Sequence, residues 1–127
     1  MIVDASVLVD VVTESPGSPL RTRLTDERTL HAPCLLDAEF LHAVRSLERR
    51  GQLTGQDGLL ALHYLRALPI RRHGMESLVP RMWHLRDNVT AYDAAYVALA
   101  ELLALPLLTT DRRLASVPGL PCQVIIA

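Results

Sequence analysis

The chain opens Met1-Ile2-Val3-Asp4-Ala5-Ser6, and this stretch restricts the fold more than any other. An apolar run meets a carboxylate with no polar alternation before it. That is the pattern of a strand covered on both faces, as in a parallel sheet. Ser6 suits the N-cap of a helix begun by Val7-Leu8-Val9. Asp4 then stands at the carboxyl end of a parallel strand, where open α/β sheets bind their ligands. The competing reading of Asp4 is a turn or capping acid.

The remaining segments continue the alternation. Residues 6–12 read as a short helix, 14–19 as a loop and 20–26 as a second helix. Leu30-His31-Ala32 is a brief strand ended by Pro33, which suits the first turn of a long helix. In that helix Leu35, Leu36, Glu39, Phe40, Ala43, Val44 and Leu47 recur at helical spacing, and Arg49-Arg50-Gly51 closes it. Thr54 caps the next helix, whose predicted apolar face is Leu59, Leu60, Leu62, Leu65 and Leu68. Residues 69–72 are a weak strand candidate, and 75–86 are predicted as one helix. Thr90 caps an apolar helix over 91–104. Residues 106–110 form a buried strand ending in Asp111, 112–115 a helical turn and 122–126 the last strand. The pattern predicts a single α/β domain over residues 1–127, with a mostly parallel sheet of about four or five short strands flanked by helices.

Half of the chain is apolar, enough for a sizeable core, yet no apolar run approaches the roughly 20 residues of a membrane helix. Asp4 falls where a secretory signal would need its basic and apolar regions, so a cytoplasmic protein without membrane contact is expected. Cys34 and Cys122 have no close cysteine partner and are predicted to be small buried thiols. The net charge of −1 gives no sign of a nucleic-acid binder. All 13 basic residues are arginine, and Arg45, Arg49, Arg50, Arg71, Arg72, Arg112 and Arg113 are the candidates for a local basic patch.

Four acids depart from the rule that apolar surroundings are core. Glu39 falls on the apolar stripe of the long helix, whereas Asp37, roughly 200° around it, is predicted to face solvent. Asp93 lies in the first turn of the apolar helix, where an acid also stabilises the helix start. Asp111 ends a strand as Asp4 does, or caps the turn after it. If the two strands are neighbours, their acids emerge at one edge. Clustered carboxylates repel and raise one another's pKa unless a hard cation sits among them. Mg²⁺ or Mn²⁺ takes such oxygen ligands together with water. His31, His42, His63, His73 and His84 show no zinc spacing. A carboxylate-held ion of this kind suits phosphodiester hydrolysis by an activated water. Ser6 and Thr110 are the candidates for orienting that water or a phosphate oxygen.

In these pieces the chain resembles the PIN-domain ribonucleases, and specifically the VapC toxins of bacterial toxin–antitoxin pairs. The matching stretches are Ile2-Val3-Asp4-Ala5-Ser6; Ala32-Pro33 with Glu39 and the Arg-Arg-Gly helix end; Thr90-Ala91-Tyr92-Asp93-Ala94-Ala95-Tyr96 with the Val-Ala-Leu-Ala that follows; and Leu108-Thr109-Thr110-Asp111-Arg112-Arg113-Leu114. The resemblance implies a three-layer PIN-like fold and a catalytic, metal-holding cluster of Asp4, Glu39, Asp93 and Asp111. It further implies Mg²⁺- or Mn²⁺-dependent endoribonuclease action, a homodimer and a VapB-like antitoxin over the acids. Arg112 and Arg113 flank Asp111 as candidate contacts to the RNA backbone, or as solvated arginines. Two other readings stay open: a non-catalytic binding module of the same fold, and a phosphoryl-transfer domain with Asp4 as nucleophile. The second lacks the lysine that a phosphoreceiver site normally carries.

Overall fold

The computed structural model describes residues 1–14, 19–27 and 29–127. Five strands form one parallel sheet in the order β3-β2-β1-β4-β5: β1 (Ile2–Val3), β2 (Leu30–Pro33), β3 (Ile70–His73), β4 (Leu107–Thr109) and β5 (Val124–Ile126). Among the described residues seven helices flank it: α1 (Ala5–Thr13), α2 (Pro19–Asp26), α3 (Leu36–Arg49), α4 (Gly55–Ala67), α5 (Val79–His84), α6 (Ala91–Leu103) and α7 (Arg112–Ala115). The result is the expected three-layer α/β architecture. The loop predicted at 14–19 lies largely outside the described residues.

The short central strands are fully apolar because both faces are covered. Ile2, Val3, Leu107 and Leu108 are completely buried. The ladder sets Val3 against Leu108, and the Asp4 N–H donates to the Leu108 carbonyl at 3.0 Å. β1 and β4 are thus neighbours, and their following acids share the carboxyl edge of the sheet. In α6 every residue from Ala94 to Ala100 is buried, which explains why that helix reads as apolar all round.

Several elements depart from the pattern read in the sequence. Asp4, not Ser6, is the N-cap of α1, because its carboxylate accepts the Ser6 N–H. Pro33 ends β2 and α3 starts at Leu36, so the proline precedes the helix rather than entering it. The inward face of α4 is Ala61 and Leu65, with Leu68 following, while Leu59 and Leu60 are each 61% exposed. Ala61 and Leu65 lie one turn apart and so share the inward face, which leaves Leu59 and Leu60 on the outer side. Residues 75–86 do not form one helix: a 3₁₀ turn (Glu76–Leu78) precedes α5, with Pro80 in the first turn of α5. Cys34 is exposed and Cys122 half-buried, so neither is the buried thiol expected. The Arg49-Arg50-Gly51 ending holds, with Gly51 at φ +70° past the end of α3.

Two histidines distant in sequence meet on the sheet. His31 Nδ1 and His73 Nε2 are 2.9 Å apart across β2 and β3, with stacked rings. One ring must donate and the other accept, so a second proton breaks the pair. Burial lowers the pKa of both. His73, the N-terminus and Arg71 lower that of His31 further, and Arg71 also lowers that of His73. A histidine whose folded-state pKa lies below its ordinary value contributes stability above that value and loses it as pH falls. The urea midpoint is therefore expected to drop between about pH 7 and about pH 5 by more in the wild type than in His73→Leu. Equal slopes in the two proteins would show that the pair does not link the strands.

Candidate active site at the carboxyl edge of the sheet

The Asp4 carboxylate is fixed from two elements. Its Oδ2 accepts the Ser6 hydroxyl at 2.8 Å and the Thr109 hydroxyl at 2.5 Å. Thr109 is completely buried, and its Oγ1 also accepts the Asp111 N–H at 3.0 Å. Ser6 Oγ in turn accepts the Thr110 N–H at 3.2 Å. A knot of hydroxyls thus ties the ends of β1 and β4 together and sets both strand-end acids. The sequence offers Thr110 as a hydroxyl for orienting water or a phosphate oxygen; the hydroxyl that reaches Asp4 from β4 is that of Thr109. Thr110 supplies its backbone N–H there, and its side chain helps to lower the Asp10 pKa against burial.

Glu39 enters from α3. Its Oε2 accepts the buried Tyr96 hydroxyl of α6 at 2.6 Å. Burial raises the Glu39 pKa; the Tyr96 bond lowers it, and the charges of Asp4 and Asp93 raise it again. The same environment pushes the Tyr96 phenol far above its ordinary range, so it stays a donor. Asp93 sits in the first turn of α6, where Thr90 Oγ1 donates to its carboxylate at 3.0 Å and accepts its N–H at 3.2 Å. Burial raises its pKa against that bond, and Asp4 and Asp111 raise it further. Asp111 caps α7, with Oδ1 accepting the Arg113 N–H at 2.7 Å.

Of the four acids read from the sequence, Glu39 thus feels the charges of Asp4 and Asp93, Asp93 feels those of Asp4 and Asp111, and Thr109 links Asp4 to Asp111 through hydrogen bonds. Asp37 does not join them, because it turns away into an exposed bidentate pair with Arg72. The Arg112 and Arg113 side chains are exposed beyond Asp111. Tyr96, which the sequence pattern marks only as core or interface, is a site residue that sequence reasoning missed, and so is Thr109. Its neighbour was chosen because strand register, which sets Asp4 beside position 109, is not written in the local sequence.

Among the described residues no group of three or more His, Cys, Asp and Glu side chains is arranged to hold a metal ion as it stands. Mg²⁺ does not require such a cage, since it keeps several waters and takes one or two carboxylates directly. Carboxylates gathered at one edge, with the pKa of Glu39 and of Asp93 raised by burial and by neighbouring acids, offer oxygen donors only and fit a hard divalent cation.

The fold and this edge define a class. The chain matches the PIN domain family over residues 1–120 and belongs to it. A solved structure from Pyrobaculum aerophilum, PAE2754, shares the fold, with a TM-score of 0.69 at 23% identity over 98% of this chain and 88% of that one. Within the class, Ribonuclease VapC3 of Mycobacterium tuberculosis is 44% identical over 91% of this chain and 85% of its own length. Ribonuclease VapC1 of the same organism is 42% identical over 97% and 94%. The chain belongs with the VapC ribonucleases.

Proposed function

We propose that this chain is the toxin of a type II toxin–antitoxin pair, an endoribonuclease that hydrolyses RNA phosphodiester bonds with Mg²⁺ or Mn²⁺. The reading rests above all on where the acids stand: Asp4 and Asp111 follow paired strands and are tied together through Thr109, and Glu39 and Asp93 lie close enough to feel the Asp4 charge. The relatives carry ribonuclease names, and such acids serve that chemistry. Asp4, Glu39, Asp93 and Asp111 are the catalytic and metal-holding set, with Asp4 and Asp93 central. The ion, once bound, supplies an activated water and charge for the phosphate. The protein's own part is orientation. Ser6 and Thr109 aim the Asp4 carboxylate, Tyr96 holds Glu39, and Thr90 holds Asp93. Arg112 and Arg113 supply positive charge for the RNA backbone beside Asp111. A VapB-like antitoxin that covers the acids keeps the enzyme silent in the cytoplasm, and the toxin works as a homodimer. No helix among the described residues is long and apolar enough to cross a membrane.

The test is cleavage of total RNA by protein freed of any co-purified partner, with Mg²⁺, with Mn²⁺ and with EDTA. Cleavage in either metal and none in EDTA is expected. Cleavage that persists in EDTA would remove the metal from the mechanism.

A further inference from the structure

Glu39 is approached from two sides by tyrosines of one helix stripe. Tyr92 and Tyr96 are four residues apart on α6 and so lie one turn above the other on the same face. Tyr96 is 2% exposed and holds the Glu39 carboxylate from inside. Tyr92, one turn nearer the helix start and next to Asp93, is 66% exposed. Between Tyr92 and α3 lies a recess of about 510 Å³ lined by Ala38, Glu39, His42 and Tyr92. On α3 the residues Ala38 and His42 are also one turn apart, so the recess has an aromatic wall, an imidazole and a catalytic acid at its inner end.

We propose that this recess receives one unstacked base of the RNA beside the scissile phosphate, with Tyr92 as the stacking platform and His42 on the base edge. The inference rests on the nuclease reading and names a substrate subsite for it. Three observations favour a base here. First, a cluster of acids repels the phosphate backbone, and the chain carries a net charge of −1, so charge alone gives RNA little hold. Two of the arginines are already committed, Arg72 to Asp37 and Arg81 to Glu101. Stacking on an aromatic face is independent of charge and open to every base. Second, the recess shares Glu39 with the acid cluster, so a base in it belongs to a nucleotide at or next to the cleaved bond. Third, its volume is that of a small-molecule site. It admits a splayed nucleotide and excludes a duplex, whose bases stay stacked; single strands and loops are where proteins read RNA by stacking.

The test uses the full-length protein freed of any partner and a short single-stranded oligoribonucleotide, intact or with one abasic site walked along it. Cleavage is followed by steady-state kinetics, and binding by fluorescence anisotropy. Tyr92→Ala is expected to lose about ten-fold in kcat/KM and in affinity, on the scale of one stacked base, while Tyr92→Phe stays within about two-fold of wild type. An abasic site at one position should cost the wild type the same factor and cost Tyr92→Ala nothing more. If the abasic penalty is equal in both proteins, or if Tyr92→Ala matches the wild type toward RNA and loses only a protein partner, the subsite is overturned. If the wild type fails to cleave at all, the nuclease reading falls, and the subsite then stands or falls on the anisotropy result. Tyr92 is exposed, so circular dichroism of the variant should match that of the wild type.

Discussion

Asp93→Asn is expected to lower RNA cleavage by roughly 10²- to 10³-fold or more, the scale on which removing one preorganised electrostatic group acts. In the absence of metal the variant should also melt at a higher temperature than the wild type. The two effects have one cause. The Asp93 carboxylate is half-buried, and Asp4 and Asp111 add like charge to the desolvation penalty. Its folded-state pKa is raised, so ionisation at neutral pH costs the native state stability relative to the unfolded chain. Asparagine keeps the shape and still accepts the Thr90 hydroxyl bond, but removes the charge. The opposing loss is the favourable field of a carboxylate at the start of α6, a few tenths of a kcal/mol to about 1 kcal/mol. The upward shift says that the penalty wins. Divalent metal should reverse the order, since an ion that binds only the folded state stabilises the wild type in proportion to its occupancy. Melting curves in EDTA and in millimolar Mn²⁺ check this. A variant less stable than the wild type in EDTA would mean that Asp93 serves mainly as a cap.

This opposition of stability and function explains how the sequence announces the site. The strand-end places of Asp4 and Asp111 were legible because Asp4 ends an apolar run and Asp111 follows the short buried strand Leu107-Leu108-Thr109. Glu39 was separable from Asp37 because helical periodicity puts them on different faces, and the structure gives Asp37 an arginine of its own. Register stayed hidden. Thr109 and Thr110 are chemically identical neighbours, and only the pairing of Val3 with Leu108 decides which hydroxyl meets Asp4. Capping was ambiguous for the same reason, since Asp4 and Ser6 are both good N-caps and tertiary contacts assign the role. Leu59 and Leu60 of α4 and Trp83 of α5 stay largely exposed. A monomer's core does not use them, and a leucine count cannot tell a core face from an outer one. Trp83 carries the Arg86 guanidinium 4.6 Å over its ring instead of packing inward.

Thr109→Val is expected to cost about 1–3 kcal/mol of stability and to lower cleavage roughly 10- to 100-fold, although the residue lies outside the proposed ligand set. Valine preserves the shape of a completely buried side chain. What it removes is one oxygen with two roles: the donor to Asp4 Oδ2 at 2.5 Å and the acceptor of the Asp111 N–H at 3.0 Å. The first loss leaves the Asp4 carboxylate held by Ser6 alone; the second frees the backbone that starts the Asp111 cap. Both strand-end acids loosen together. The stability cost comes from the Asp111 amide, left without its partner inside the protein, and from the Asp4 carboxylate, left one donor short, since a desolvated polar group that loses a bond loses more than the bond itself contributed. The activity cost comes from orientation, because groups behind a ligand fix its direction and are worth about as much as affinity measurements on metal sites assign them. Thr109→Ser separates the two readings of a damaged variant. It restores the hydroxyl and deletes a buried methyl, so it should regain most of the activity while remaining somewhat less stable. Urea unfolding together with kcat/KM in Mn²⁺ decides the matter. If serine fails to restore cleavage, packing of the strand end is what the position supplies; if valine cleaves within about two-fold of wild type, the hydroxyl knot does not set the acids.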